Sequence, residues 1–288
     1  MGFAQHQSFY LRPQWLNKGM DEIQKDSRFF YQEDHFERLG IGKNMAKSVR
    51  YWMNATKVMK DVKSTTTEQH LTHFGSLVHT YDPYLQKTFT VGLLHYFLTT
   101  DESIATTWYW FFNVFKEDVF DRQTVMLALE KWVGETQEKA VSTNSLKRDI
   151  DCLFLTYLNK NFENATPEDV IRSPFEELGL LMQTIRTSYT KMPLVDATHY
   201  DLLYVALLIY AQKHHTNELS ISDLVNEPEL WGKIFNLNRS TIVEAIEEMQ
   251  KSYPIVFTRT NRLDIVRLKD VIDPFDFIEQ YYKKEAVK

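Results

Sequence analysis

Glycine and proline are scarce, at 9 and 8 of 288 residues, each about 3% where about 7% and about 5% are usual. So few turn residues leave little room for a large sandwich or barrel of many short strands. Cysteine is nearly absent. The single Cys152 can form no internal disulfide and no cysteine-rich zinc site, which fits a reducing, cytoplasmic setting. Long apolar runs are missing too. The longest, residues 202–211, is about half of what a membrane span needs. Residues 1–10 lack the basic stretch and apolar centre of a signal peptide, so the expectation is a soluble intracellular protein with no membrane partner. Low-complexity tracts, proline-rich linkers and short-period repeats are not found. Positive charge is in deficit overall, with a formal net charge of −6. A polybasic nucleic-acid binder is thereby excluded, and any DNA affinity has to come from a local patch.

Bulk is abundant. Aromatic residues make up 14% of the chain, enough to build substantial cores and offset the entropy of ordering. The pattern predicts a mainly α protein in three zones. Residues 1–81 read as an N-terminal winged helix-turn-helix. Helices are expected over 20–30, over 34–39 with Asp34 as N-cap, and over 43–56. A polar loop or hairpin tip then spans 57–69, and 70–78 runs from strand into helix. Residues 82–195 read as a helical middle with helices over 89–98, 106–115, 122–132, 146–158 and 176–186. Asp101 and Ser103 sit where a cap belongs, and Thr166-Pro167-Glu168-Asp169 is a helix start. Residues 196–288 read as a winged-helix-like end. Helices are expected over 198–213, over 221–226 behind a Ser220 cap, and from Asn238 to about 252. Strands follow over 255–259 and 263–268, joined by Thr260-Asn261-Arg262.

The sharpest signal lies on the helix starting at Lys43. On a wheel of about 100° per residue, Lys43, Lys47, Arg50 and Asn54 share one narrow stripe. Met45, Val49 and Trp52 fall opposite, and Asn44, Ser48 and Tyr51 occupy a flank. Phe36 and Leu39 precede it on a short helix, joined through Gly40-Ile41-Gly42. A short helix, a glycine turn and a helix with an outward basic face form a helix-turn-helix pattern. Lysine and arginine neutralise phosphates, arginine can fork onto guanine, and asparagine can pair with adenine. Between Lys43 and Lys63 the cations are Lys43, Lys47, Arg50, Lys57, Lys60 and Lys63, against one acid, Asp61. In an acidic protein that local excess favours double-stranded DNA as the partner. A plain solvated helix face and an acidic protein partner remain the alternatives. At the C-terminal end, Arg259 and Arg262 flank a second wing tip. Its third helix carries Glu244, Glu247 and Glu248, which repel phosphate, so this module is expected to be more structural than DNA-reading.

Catalytic signatures are missing. There is no glycine-rich phosphate loop and no His-Glu-x-x-His pair. His70, His73 and His79 have no cysteine nearby, so no metal site is expected. His6 reads as a packed or hydrogen-bonded residue, Asp149 beside Lys147 and Arg148 as ordinary helix electrostatics, and Trp108 to Phe112 as core. The expectation is a non-enzyme without catalytic residues or cofactor, with a nuclease built from scattered acids a remote alternative.

Five stretches carry a family resemblance: residues 6–18, 39–52, 93–96 (Leu93-Leu94-His95-Tyr96), 108–113 and 173–180. Over essentially the whole length, the chain resembles the bacterial family labelled Domain of Unknown Function 4007. Such proteins are typically encoded beside genes of DNA phosphorothioation and related phage-defence loci. The resemblance implies an accessory or regulatory part in DNA modification, restriction or antiviral defence, with other proteins of that system as partners. It carries over no catalytic residues. The resulting expectation is a DNA-binding protein contacting DNA through Lys43, Asn44, Lys47, Ser48, Arg50 and Asn54, with Arg259 and Arg262 at the second wing. A protein-interaction scaffold that never touches DNA is the alternative.

Overall fold

Pro13 sits in a first helical turn, where its missing N–H needs no partner, and opens α1 (Pro13–Lys25). The computed structural model describes residues 2–63, 65–159, 171–194, 199–259 and 264–287. Trp15, Leu16, Met20 and Ile23 give α1 one buried face, so this helix lies earlier than the expected 20–30, and Phe29–Tyr31 forms only a 3-10 turn. In α2 (His35–Arg38) the Asp34 side chain makes no cap bond, contrary to expectation. Gly40, at φ +67, closes the turn by donating to the Glu37 carbonyl at 2.9 Å, a conformation that costs glycine little. After it comes α3 (Lys43–Ala55).

The polar stretch thought to be a loop or hairpin tip is a paired hairpin, β1 (Met59–Lys63) and β2 (Thr67–Leu71). It runs antiparallel with Met59 opposite Leu71 and Asp61 opposite Gln69. Thr72 caps α4 (His73–Tyr81) by accepting from the Gly75 amide.

The centre of the chain holds α5 (Thr88–Thr99), α6 (Thr106–Asn113), β3 (Val119–Phe120), α7 (Arg122–Thr136) and α8 (Thr143–Tyr157). Asp121 and Ser142 cap the last two helices. Asp101 does not cap α6; its carboxylate binds the Ser103 amide and hydroxyl instead. The helix expected over 176–186 is absent. Ser173 and Glu176 form a capping box on a single 3-10 turn, Pro174–Leu178. Gly179, at φ +64, then turns the chain out of the helical path. The chain continues as β4 (Leu181–Ile185) and β5 (Ser188–Lys191), in a sheet of order β3-β5-β4. Lys191 Nζ donates to the Phe111 and Phe115 carbonyls at the end of α6, and burial lowers its pKa to about 7. The helix start read at residues 166–169 lies outside the described residues.

The last third holds α9 (Tyr200–His214), β6 (Glu218–Ser220), α10 (Ile221–Asn226), α11 (Trp231–Ile234) and α12 (Arg239–Met249). It ends in β7 (Ile255–Arg259), β8 (Asp264–Leu268) and α13 (Pro274–Ala286). Ser220 and Asn238 cap their helices as expected, and the strand order is β6-β8-β7. The turn containing Arg262 lies outside the described residues. Asp273 and Pro274 open α13, which the sequence reading passed over. That helix packs on both α4 and α9, with Tyr281 stacked on Phe89 at 3.8 Å and the Tyr282 and Thr90 hydroxyls 2.7 Å apart.

One hydrophobic core runs through the chain. The block Trp108 to Phe112 is mostly inside it, as expected. The fold is thus mainly helical, with small antiparallel sheets and short hairpins, and no described helix is long and apolar enough to cross a membrane. Asp149 requires a correction. It is buried, not part of a solvated charge pattern, and accepts from His6 Nε2, the Ala4 amide and the Thr107 hydroxyl, each at 2.7 Å. The Ser8 amide donates to His6 Nδ1 at 3.0 Å, so Nε2 carries the proton. This network ties the N-terminal segment to α6 and α8.

Candidate nucleic-acid interface

The α3 helix is held from beneath. Ala46, Val49, Trp52 and Met53 are buried, and Met45 is half-buried. Gly19 of α1 allows the approach, since a Cβ there would stand 2.3 Å from Met53 Sδ. The Phe9 carbonyl accepts from Trp52 Nε1 at 2.9 Å and from the Ser48 hydroxyl at 3.3 Å, which fixes the rotation of α3 about its axis. Ser48, expected on the DNA-facing flank, is therefore buried and leaves the exposed set.

With its rotation fixed, α3 turns its cationic stripe outward. Lys43, Asn44 and Lys47 are exposed; Arg50 and Asn54 are half-buried. Lys43 Nζ lies 4.9 Å from the Phe36 ring centre. Arg50 rests its guanidinium 4.7 Å over the Tyr31 ring, and its Nη2 donates to the Tyr31 hydroxyl at 2.8 Å and to Asp61 at 3.0 Å. The Asn54 side-chain amide donates to the Arg50 carbonyl at 3.2 Å. Gln5, Lys47, Arg50, Tyr51, Asn54 and Asp61 enclose an open recess of about 410 Å³. Lys60 and Lys63 project from β1 and are exposed. Lys57 is withdrawn from the patch by an ion pair with Asp101. Among the described residues Lys43, Lys47, Lys60 and Lys63 have no carboxylate partner.

The C-terminal cations differ. Arg259 pairs with Glu247 at 2.9 Å, Arg239 with Asp264 at 2.8 Å and Arg267 with Glu218 at 2.5 Å. Each of these charges is met within its own third of the chain. Arg262 lies outside the described residues.

A larger cavity of about 690 Å³ lies away from α3, around the Pro174–Leu178 turn, with Tyr84, Glu177 and Met182 in its wall. Burial, and then Asp82, raises the Glu177 carboxyl above the usual carboxylate range. No cluster of three or more His, Cys, Asp or Glu that could hold a metal occurs among the described residues.

The sequence did not identify Gln5 and Tyr31 as part of the site. Gln5 is distant in sequence, and Tyr31 reads as the end of an apolar triplet. Asp61 left a visible trace as the lone acid in the basic run, but its partner could not be read from it.

The fold is that of a helix-rich protein carrying an exposed cationic helix beside a hairpin. The chain belongs to the family described as Protein of unknown function (DUF4007), whose model matches residues 3–282. Two solved structures share the fold, a magnesium ion-bound SspB and an SspB. Each has a TM-score of 0.84 and 23% sequence identity, covering 99% of this chain and 87% of the other. No curated protein sequence matches the chain.

Proposed function

We propose that this protein binds double-stranded DNA through α3 and the β1–β2 hairpin. It would be a non-enzymatic accessory or regulatory component of a bacterial DNA-modification system of phosphorothioation type, or of phage defence. The order helix, short helix, helix, hairpin at the N-terminal end is read as a winged helix-turn-helix with α3 as recognition helix. The helix–strand–three helices–hairpin order of the last third (α9, β6, α10 to α12, β7 and β8), with strands β6-β8-β7, is read as a second winged helix serving structure or protein contacts. The observation that carries the DNA reading is the outward stripe Lys43, Lys47, Arg50 and Asn54 above a buried apolar face. The system context rests on family membership and on the SspB-like fold. Fluorescence anisotropy with short labelled duplexes tests it. Lys47→Ala and Arg50→Ala are expected to weaken binding, and Arg259→Ala to have a smaller effect. Equal binding by wild type and Lys47→Ala, or no binding at low salt, leaves the protein-scaffold reading in its place.

A second reading has one observation in its favour: a protein of the same fold was crystallised with magnesium. That reading is metal-dependent cleavage of DNA by carboxylates assembled from separate segments. Incubating supercoiled plasmid with the pure protein and magnesium or manganese separates the two. We expect the plasmid to stay supercoiled; nicking that co-purifies with the protein and is lost with chelator makes the second reading correct.

A further inference from the structure

Arg50 already holds an anion. Its guanidinium lies flat over Tyr31, and one nitrogen, Nη2, serves both the Tyr31 hydroxyl and the Asp61 carboxylate. Among the described residues Nη1 and Nε have no hydrogen-bond partner. Each two-toothed edge of a guanidinium, Nε with Nη2 or Nη1 with Nη2, includes Nη2, so a phosphate can take a fork only by displacing Asp61. Lys47 and Asn54 share the recess, and Gln5 faces it from the N-terminal segment. Asp61 is the single carboxylate there. It is delivered from the hairpin face that also carries Gln69, directly opposite. Gln69 is buried, and its side-chain oxygen accepts from the Phe30 amide at 3.3 Å. That bond holds this face of the hairpin against the 3-10 turn bearing Tyr31.

We propose that the recess beside α3 is a phosphodiester site in which the Asp61 carboxylate occupies the place of the phosphate. Asp61 thereby sets how tightly this face holds nucleic acid. The proposal rests on the nucleic-acid reading above and names how that surface grips its ligand. The carboxylate is tethered, so an isolated phosphate competes poorly for the guanidinium. A duplex presents several phosphates at once, to Lys43, Lys47 and Lys63 as well as to Arg50, and gains from effective concentration. When it docks, the guanidinium transfers from carboxylate to phosphate and Asp61 turns to solvent. The Arg50–Asp61 pair is about one-third exposed at both partners, and such pairs are weak enough to exchange. The recess therefore selects polyanionic nucleic acid over inorganic phosphate.

The test is a binding series by anisotropy, with a labelled duplex and with inorganic phosphate as competitor. The proteins are wild type, Asp61→Asn, Asp61→Ser, Arg50→Ala, Asp61→Asn/Arg50→Ala and Glu68→Gln. Glu68 lies on the same hairpin, one step from Asp61 in the pairing register and on its other face, and reports the general effect of removing one negative charge. Either Asp61 variant is expected to bind duplex about fivefold more tightly than wild type, the scale of a close exposed charge pair. The gain should vanish in the Arg50→Ala background, and Glu68→Gln should stay within about twofold of wild type. Inorganic phosphate should compete better against Asp61→Asn than against wild type. A gain that persists without Arg50, or that Glu68→Gln reproduces, reduces the effect to overall charge and overturns the proposal. If wild type binds duplex and Lys47→Ala weakens it while both Asp61 variants match wild type, the DNA reading stands and this inference falls. If no protein in the series binds, both fall; if only the Asp61 variants bind, both gain.

Discussion

His95 is enclosed on every side and stays neutral because its two ring nitrogens are already committed. A carbonyl can only accept, so Nε2 donates to Ile234 at 2.7 Å, and the Tyr157 hydroxyl donates to Nδ1 at 2.8 Å. Burial lowers its pKa from 6.5 to about 4, opposed in part by the Ile234 carbonyl. In the unfolded chain the ring takes up a proton near pH 6.5, whereas in the folded protein it does so only near 4. The stabilisation is therefore complete above pH 6.5 and is lost as pH falls toward 4. A separation of this size corresponds to something on the order of 3 kcal/mol. Urea midpoints at pH 7, 5.5 and 4 should fall in that order, and His95→Gln should flatten the dependence across this window. An identical dependence in the variant would remove His95 as its source. Single residues of this kind were only half legible in the sequence. His6 was expected to be packed or hydrogen-bonded, and it is. Its partner Asp149 was read as ordinary helix electrostatics beside Lys147 and Arg148, because the contact spans 143 residues and local charge pattern carries no trace of it.

At the scale of elements, α3 was legible because its apolar and cationic residues segregate to opposite sides, and a wheel finds that from sequence alone. The hairpin beside it was less so. Its inward face is carried by Met59, Gln69 and Leu71, and one buried glutamine among polar neighbours looks like a loop. The strand β4 was misread as helix because Gly179, not a change in apolar spacing, ends the turn before it. The glycines around α3 separate two physical demands and make the unit testable. At Gly75 a Cβ would stand 1.9 Å from the Val58 carbonyl oxygen, which is backbone and cannot rotate away. At Gly40 the space is open but φ is +67; at Gly42 the space is open and φ is ordinary. Gly75→Ala should therefore cost about 2–3 kcal/mol in urea unfolding, since α4 must separate from the hairpin root. Gly40→Ala should cost about 1 kcal/mol from backbone strain, and Gly42→Ala close to nothing. Any other ranking would show that α4 and the hairpin are not packed as described.

For the molecule as a whole, the net charge of −6 conceals a division between its two ends. At the N-terminal end Lys43, Lys47, Lys60 and Lys63 have no carboxylate partner among the described residues, and Arg50 has one it can exchange. At the C-terminal end Arg239, Arg259 and Arg267 are each paired, and α12 adds Glu244 and Glu248. Those pairs are exposed and exchangeable like Arg50–Asp61, but the charges around them are the acids of α12 rather than unpartnered lysines, so an approaching phosphate gains little. Phosphate neutralisation should therefore come from the α3 face alone. With three or four phosphates engaged, log affinity against log salt should have a slope of about −3 to −4, with about one unit lost for each of Lys43→Ala and Lys47→Ala. An Arg239→Ala/Arg259→Ala/Arg267→Ala variant should keep the wild-type slope within about half a unit, because its lost charges were already balanced internally. A slope that drops by two or more units in that triple variant would place the C-terminal hairpin on the DNA path as well. The division into a binding end and a structural end would then be wrong, even with the α3 surface correct.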